Sequence, residues 1–213
     1  MTPVILSIHT AKTGGHTFRE ILRQIFGYER VLVDHPDVGA RNPEDFVGRI
    51  NNGHFDVIHG HEALLHKWEK HVPVRPVAWM RHPYTRLLSW YYYMRRSSTI
   101  KGGTNPPDTL DNKIHHIRTM PNEITRIWIP LDRFDDFEFI GLVEEWDYCL
   151  DVFCNKFTNG KKANVEARNI NPNGRNYDDL LTPEVKGVIR ENNQDDLKLY
   201  NLVREKWARG GYQ

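Results

Sequence analysis

Apolar residues along this chain fall into short unbroken runs that alternate with stretches repeating at three- and four-residue spacing. The runs near 4–9, 30–33, 56–59, 76–80 and 137–142 predict strands, and the intervening patterns near 16–26, 43–51, 83–96 and 144–157 predict helices. Further on, Thr182-Pro183-Glu184 reads as a helix start, with Thr182 as N-cap and Pro183 in the first turn, and a final helix is expected over 194–207. Strands and helices that alternate in this way predict an α/β fold: a P-loop-like parallel β-sheet flanked by helices on both faces, with ligands gathered at the carboxyl ends of the strands. Two stretches of turn chemistry interrupt the pattern, at 101–108 and 169–175, and both read as surface loops.

Length and composition narrow this picture. At 213 residues the chain has room for one α/β domain over 1–213, and 39% hydrophobic with 27% charged residues is ordinary for a folded chain. The 29 Lys and Arg against 28 Asp and Glu leave a net charge of +1, which offers no global field for nucleic acid or an anionic membrane surface. Any anion site must therefore be local. No apolar run approaches the ~20 residues of a membrane span, and the only two cysteines, Cys149 and Cys154, lie five apart in a predicted helix. Free thiols and a cytoplasmic protein without a membrane partner are the expectation. Oligomeric state is not encoded in any pattern found.

Candidate chemistry sits at three predicted strand ends. The first run empties into Lys12-Thr13-Gly14-Gly15-His16-Thr17, where glycines precede a helix start and Lys12 adds a point charge, a combination suited to phosphate. It is not a Walker A loop, because Ser7 stands where that motif carries its first glycine. The third run ends in His59-Gly60-His61, whose alternate histidines point to the same side of an extended segment and could supply a base near neutral pH. A His-x-His pair also begins many zinc sites, but no acidic or cysteine ligands follow at characteristic spacing, so no metal is expected. The fourth run ends at Arg81, followed by a Pro83 helix start and by Ser89; an arginine fork and a hydroxyl suit a second phosphate. Trp90 to Tyr93 read as core aromatics, and His115 and His116 as a solvated face.

Together these segments resemble the sulfotransferases that use 3′-phosphoadenosine-5′-phosphosulfate (PAPS), in particular the carbohydrate group that includes the heparan sulfate 2-O-sulfotransferases. Ala11-Lys12-Thr13-Gly14-Gly15-His16-Thr17 is similar to that family's Pro-Lys-Thr-Gly-Gly-Thr-Ser loop, and Met80-Arg81-His82-Pro83 through Ser89 to its Leu-Arg-Asp-Pro-x-x-Arg-Leu-x-Ser segment. His59-Gly60-His61 resembles the His-Gly-His of the 2-O-sulfotransferases, and Phe139 to Trp146 a Val-Gly-Val-x-Glu segment that follows in the same order. Ala11, His16 and His82 stand where the family carries proline, a small hydroxyl residue and aspartate.

The resemblance implies a sulfuryl transfer from PAPS to a hydroxyl of a glycan or other small acceptor. Lys12 would assist the leaving phosphate, His59 or His61 would be the base, residues 12–17 would hold the 5′-phosphosulfate, Arg81 and Ser89 the 3′-phosphate, and Arg168 the nucleotide. Two other classes remain open: a P-loop-like small-molecule kinase using Mg·ATP, which would need metal-binding carboxylates, and a non-catalytic nucleotide-binding module.

Overall fold

The computed structural model describes residues 2–36, 39, 41–100, 104, 107–163 and 177–212. Strands β1 (Val4–Ile8), β2 (Val31–Val33), β3 (Val57–Gly60), β4 (Val74–Met80) and β5 (Phe139–Leu142) form a parallel sheet in the order β2-β3-β1-β4-β5. Every residue of β1, β3 and β5 is buried, which explains why these strands read as unbroken apolar runs and not as alternating ones: both faces of the sheet are covered. Helices flank it on both sides, so the α/β class expected from the periodicity holds.

The order fixes where a ligand can enter. β1 connects to strands on one side of the sheet and β4 to β5 on the other, so the topological switch point lies between the carboxyl ends of β1 and β4. Two of the three predicted motifs border that crevice, and the third follows β3, the other neighbour of β1.

Helix α1 (Gly15–Phe26) follows β1 and packs Phe18 and Leu22 onto the sheet. The pattern over 43–51 resolves into a 3₁₀ turn at Pro43–Asp45 and a short α2 (Val47–Asn51), consistent with the poor helix propensity of Gly48. Helix α3 (Leu65–Trp68) is a single turn, too short to leave a periodic signature. Helix α4 (Pro83–Ile100) starts at the predicted proline and runs longer than its apolar pattern. Helices α5 (Leu110–Arg118) and α6 (Glu123–Ile127) were not expected. The first is nevertheless capped in the usual way, Thr109 Oγ1 accepting from Asn112 N at 3.2 Å. On α5, His115 is exposed as expected, but His116 is half-buried with its ring 5.6 Å from that of Tyr91, because α5 packs against α4.

Helix α7 (Trp146–Thr158) carries Cys149 and Cys154, both buried and unpaired. Helices α8 (Pro183–Asn192) and α9 (Gln194–Ala208) match the expected starts, with Thr182 Oγ1 accepting from Val185 N. None of the helices among the described residues is long and apolar enough to cross a membrane.

A second apolar cluster lies beside the main core, where Leu87 and Leu88 of α4 meet Ile117 of α5 and Val185 and Ile189 of α8. Arg86, between these clusters, has no solvent exposure and pairs with Glu123 at 2.7 Å and Asp196 at 3.6 Å. Asp196 also accepts from Thr125 N at 2.9 Å, so one buried charge network ties α4 to α6 and α9. Replacing Arg86 by leucine strands those carboxylates without a cation, and urea unfolding of Arg86→Leu is expected to show a loss of about 3 kcal/mol. A change below about 1 kcal/mol would mean the network adds little.

Candidate active site

The turn after β1 is held by hydroxyls. Thr10 Oγ1 donates to the Trp79 carbonyl at 2.6 Å, tying the turn to β4, and Thr13 Oγ1 donates to Thr10 O at 2.8 Å. The Thr13 side chain is thus committed inward, 1% exposed, and only its backbone is left for a ligand. Lys12 takes a left-handed conformation at φ 66°, as does Gly14 at φ 80°, which forms the N-cap of α1. No side chain caps α1 and no acidic residue lies in its first turn, so the positive end of the helix dipole is left for an outside anion.

The two glycines serve different ends. A Cβ on Gly14 would stand 2.9 Å from the Trp146 ring, whereas one on Gly15 would stand 1.8 Å from Cδ2 of His9. Gly15 therefore makes room for an imidazole, a reason the sequence pattern did not suggest. His16 is half-buried and Thr17 6% exposed, both in the first turn of α1.

Lys12 and Arg81 are half-buried cations at the switch point. Among the described residues neither has a carboxylate within ion-pair distance. Lys12 Nζ lies 4.3 Å from the ring centroid of Tyr93 instead. Arg81 donates through Nε to Thr85 Oγ1 at 3.2 Å, and its guanidinium faces the Tyr177 ring at 5.2 Å. Aromatic faces and a hydroxyl hold both cations without neutralising them. Burial, then the charges of Arg96 and Arg81, push the Lys12 ammonium down to about 8, and burial lowers Arg81 from its ordinary value. Ser89 lies on α4, 8% exposed. The loop after β4 is pinned by Glu144, whose Oε1 accepts from His82 N at 2.8 Å. Tyr93, expected in the core, is instead 41% exposed, and its seat over Lys12 depends on how α4 lies across the sheet. Tyr91 and Tyr92 are in the core as expected, 4% exposed each.

His59 and His61 differ sharply. His59 sits inside the sheet opposite Ser7, 2% exposed, and its Nδ1 shares a hydrogen bond of 2.9 Å with Ser7 Oγ. Burial above all, then Arg19 and the neighbouring histidines, holds it neutral, well below the ordinary imidazole value. His61 lies one residue beyond β3, half-buried, with Nδ1 2.5 Å from the carbonyl oxygen of His9. Donation from Nδ1–H leaves the Nε2 lone pair of the neutral ring as its acceptor site.

His9, adjacent to the end of β1, stacks on His61 at 3.9 Å between centroids; His35, after β2, lies 4.7 Å from His61. Neither had been singled out in the sequence. His9 closes the first apolar run and His35 lies two residues beyond the second, at the same strand ends that marked the other candidates. Arg168, the loop over 169–175 and most of the loop over 101–108 lie outside the described residues.

No protein-family model matches the chain, and no curated protein matches it. Among solved structures, a sulfotransferase from Alicyclobacillus acidocaldarius aligns over 96% of each chain with a TM-score of 0.52 at 13% identity. A structure of the PezAT chromosomal toxin–antitoxin system of Streptococcus pneumoniae aligns over 98% of this chain and 87% of that one, with a TM-score of 0.38 and 10% identity. The first likeness shows that this chain has the fold of a sulfotransferase.

The lowered Lys12 value has a sign that can be checked. Between about 8 and the ordinary 10.5 the unfolded chain holds a proton on this lysine that the folded chain has lost, so folded stability gains with rising pH across that window. A Lys12→Met variant is expected to be more stable than wild type at pH 7 and to lose this gain. Parallel pH-stability curves for the two proteins would show Lys12 to be solvated.

Proposed function

We propose that the chain is a PAPS-dependent sulfotransferase that moves a sulfuryl group to a hydroxyl of a carbohydrate-like acceptor. The observation that carries this reading is a pair of cations, Lys12 and Arg81, that find no carboxylate among the described residues and stand on either side of the switch point beside an uncapped helix start. A folded chain gains nothing in stability from desolvated, unneutralised cations, so a polyanion is the partner that makes sense of them. A donor with phosphates at both its 5′ and 3′ positions fits two such sites. The left-handed Gly14, with Trp146 where a side chain would go, leaves backbone facing the same space.

In this reading Lys12 neutralises charge growing on the leaving phosphate, with the start of α1 beside it. Arg81 and Ser89 hold the 3′-phosphate. Of the two histidines, His61 is assigned as the base, because its Nδ1–H is fixed on the His9 carbonyl and its Nε2 can accept the acceptor's hydroxyl proton. His59, sealed in the sheet against Ser7, is assigned to packing. The kinase alternative needs carboxylates for Mg²⁺. At this edge of the sheet Asp34 is bound by Lys67 and Trp68, and Glu144 by His82 N and Tyr200; with those two engaged, Glu62 after His61 offers Mg²⁺ one carboxylate and not a pair, which counts against it.

Calorimetry with 3′-phosphoadenosine-5′-phosphate (PAP), run beside Mg·ATP, tests the donor assignment. PAP is expected to bind without added metal and more tightly than Mg·ATP; the reverse preference would overturn the reading in favour of a kinase. Binding of the dianion should draw Lys12 back to its charged form, so PAP affinity is expected to fall as pH rises through about 8. Lys12→Ala is expected to cut turnover by about 10²-fold or more at saturating donor, and His61→Ala by a similar factor with PAP affinity retained. Arg81→Ala should instead weaken PAP binding more than it slows the saturated reaction.

A further inference from the structure

Three histidines converge at the carboxyl edge of the sheet for a reason visible in the topology. β2, β3 and β1 are consecutive neighbours, and His35, His61 and His9 each come just after one of them. Backbone bonds keep the three strand ends level: Asp34 N donates to His59 O at 2.9 Å, Glu62 N to Asp34 O at 3.1 Å and His9 N to Gly60 O at 3.0 Å. The loop carrying His35 is anchored next door by Asp34, which has no exposure and accepts from Lys67 Nζ at 2.8 Å, Trp68 Nε1 at 3.0 Å and Arg41 N at 2.8 Å. Gly15 and Gly60 allow the close packing, since a Cβ on Gly60 would stand 1.7 Å from Asp34 O.

We propose that His9, His35 and His61 form a three-imidazole site for a divalent transition ion of the zinc class. One ring nitrogen from each residue lies within 4.8 Å of the others, against an edge of about 3.3 Å in a tetrahedral zinc site, and the stacked rings of His9 and His61, 18° from parallel, turn on metal binding so that their lone pairs converge. An all-imidazole set selects zinc, nickel, cobalt or copper over magnesium or calcium, which take oxygen donors. On His61, whose Nδ1–H is held by the His9 carbonyl, Nε2 is the nitrogen that would ligate. Three protein donors leave a tetrahedral ion one coordination position for a ligand from outside the chain.

The site itself is independent of the sulfotransferase reading; one consequence rests on it. A bound ion takes Nε2 of His61, so metal occupancy and proton acceptance exclude each other, and zinc is expected to inhibit transfer.

Calorimetric titration of the chelator-treated full-length chain with Zn²⁺ alone is expected to give one ion per chain. His35→Ala should weaken that binding by at least about tenfold, while His115→Ala, on the exposed face of α5, leaves it unchanged. Equal affinities in all three proteins would overturn the site. His35→Cys replaces one zinc ligand by another and decides the matter if His35→Ala does not fold. Loaded with Co²⁺, it is expected to bind one ion and to show a sulfur-to-cobalt charge-transfer band absent from the wild type; no such band overturns the proposal. One-to-one zinc binding by a protein that, once freed of metal, neither binds PAP nor transfers a sulfuryl group would sink the sulfotransferase reading and leave the site standing. Transfer by a protein that binds no zinc would do the opposite.

Discussion

β1 is the constraint on which the rest depends. It is hydrogen-bonded along both edges, to β3 in the register Ile5–Val57 through Ile8–Gly60 and to β4 in the register Val4–Val74 through Ile8–Ala78. Parallel pairing of this kind brings the strand ends out at one level, so residues that are far apart in the chain leave the sheet side by side. Lys12, His61 and Arg81 share one edge because their strands share this register. The residues in between do not bring them together.

The pairing of buried charge changes at that edge. Lys67 is paired with Asp34, and Arg86 with Glu123 and Asp196, so these cations are neutralised by carboxylates where they are buried. Among the described residues, Lys12 and Arg81 have no such carboxylate partner. They are held by the faces of Tyr93 and Tyr177, which offer attraction without cancelling charge, and Lys12 does so from a left-handed backbone conformation. A strained lysine and two desolvated cations without carboxylates thus meet at one edge of the sheet.

The histidines divide along the same line. His59 and His61 are two residues apart and point to the same side, yet the sheet closes over one and ends before the other. The first became part of the core, bonded to Ser7 across the ladder. The second reached the rim, where it meets His9 and His35 from the two neighbouring strands. A two-residue difference in position relative to the strand end separates a side chain sealed in the core from one at the rim.

The sequence by itself determined the fold class and much of the order of elements, because strands buried on both faces must be apolar throughout and long helices must repeat near 3.6 residues. All five strands were legible, and so were α1, α4, α7 and the starts of α8 and α9. Short turns such as α3 and α6 were not, having too few residues for a period to show. The turn at residues 12–17 and the helix start behind it were also legible, since glycines before a helix start carry a local conformational signal. What only the tertiary structure decided is everything that depends on neighbours in the sheet. It decided that Gly15 answers to His9, that Tyr93 covers Lys12, that His116 turns toward Tyr91, and that His9, His35 and His61 meet. No local pattern encodes these, because strand order and register are set by the packing of the whole sheet, and lateral contacts across parallel strands join residues that the chain keeps far apart.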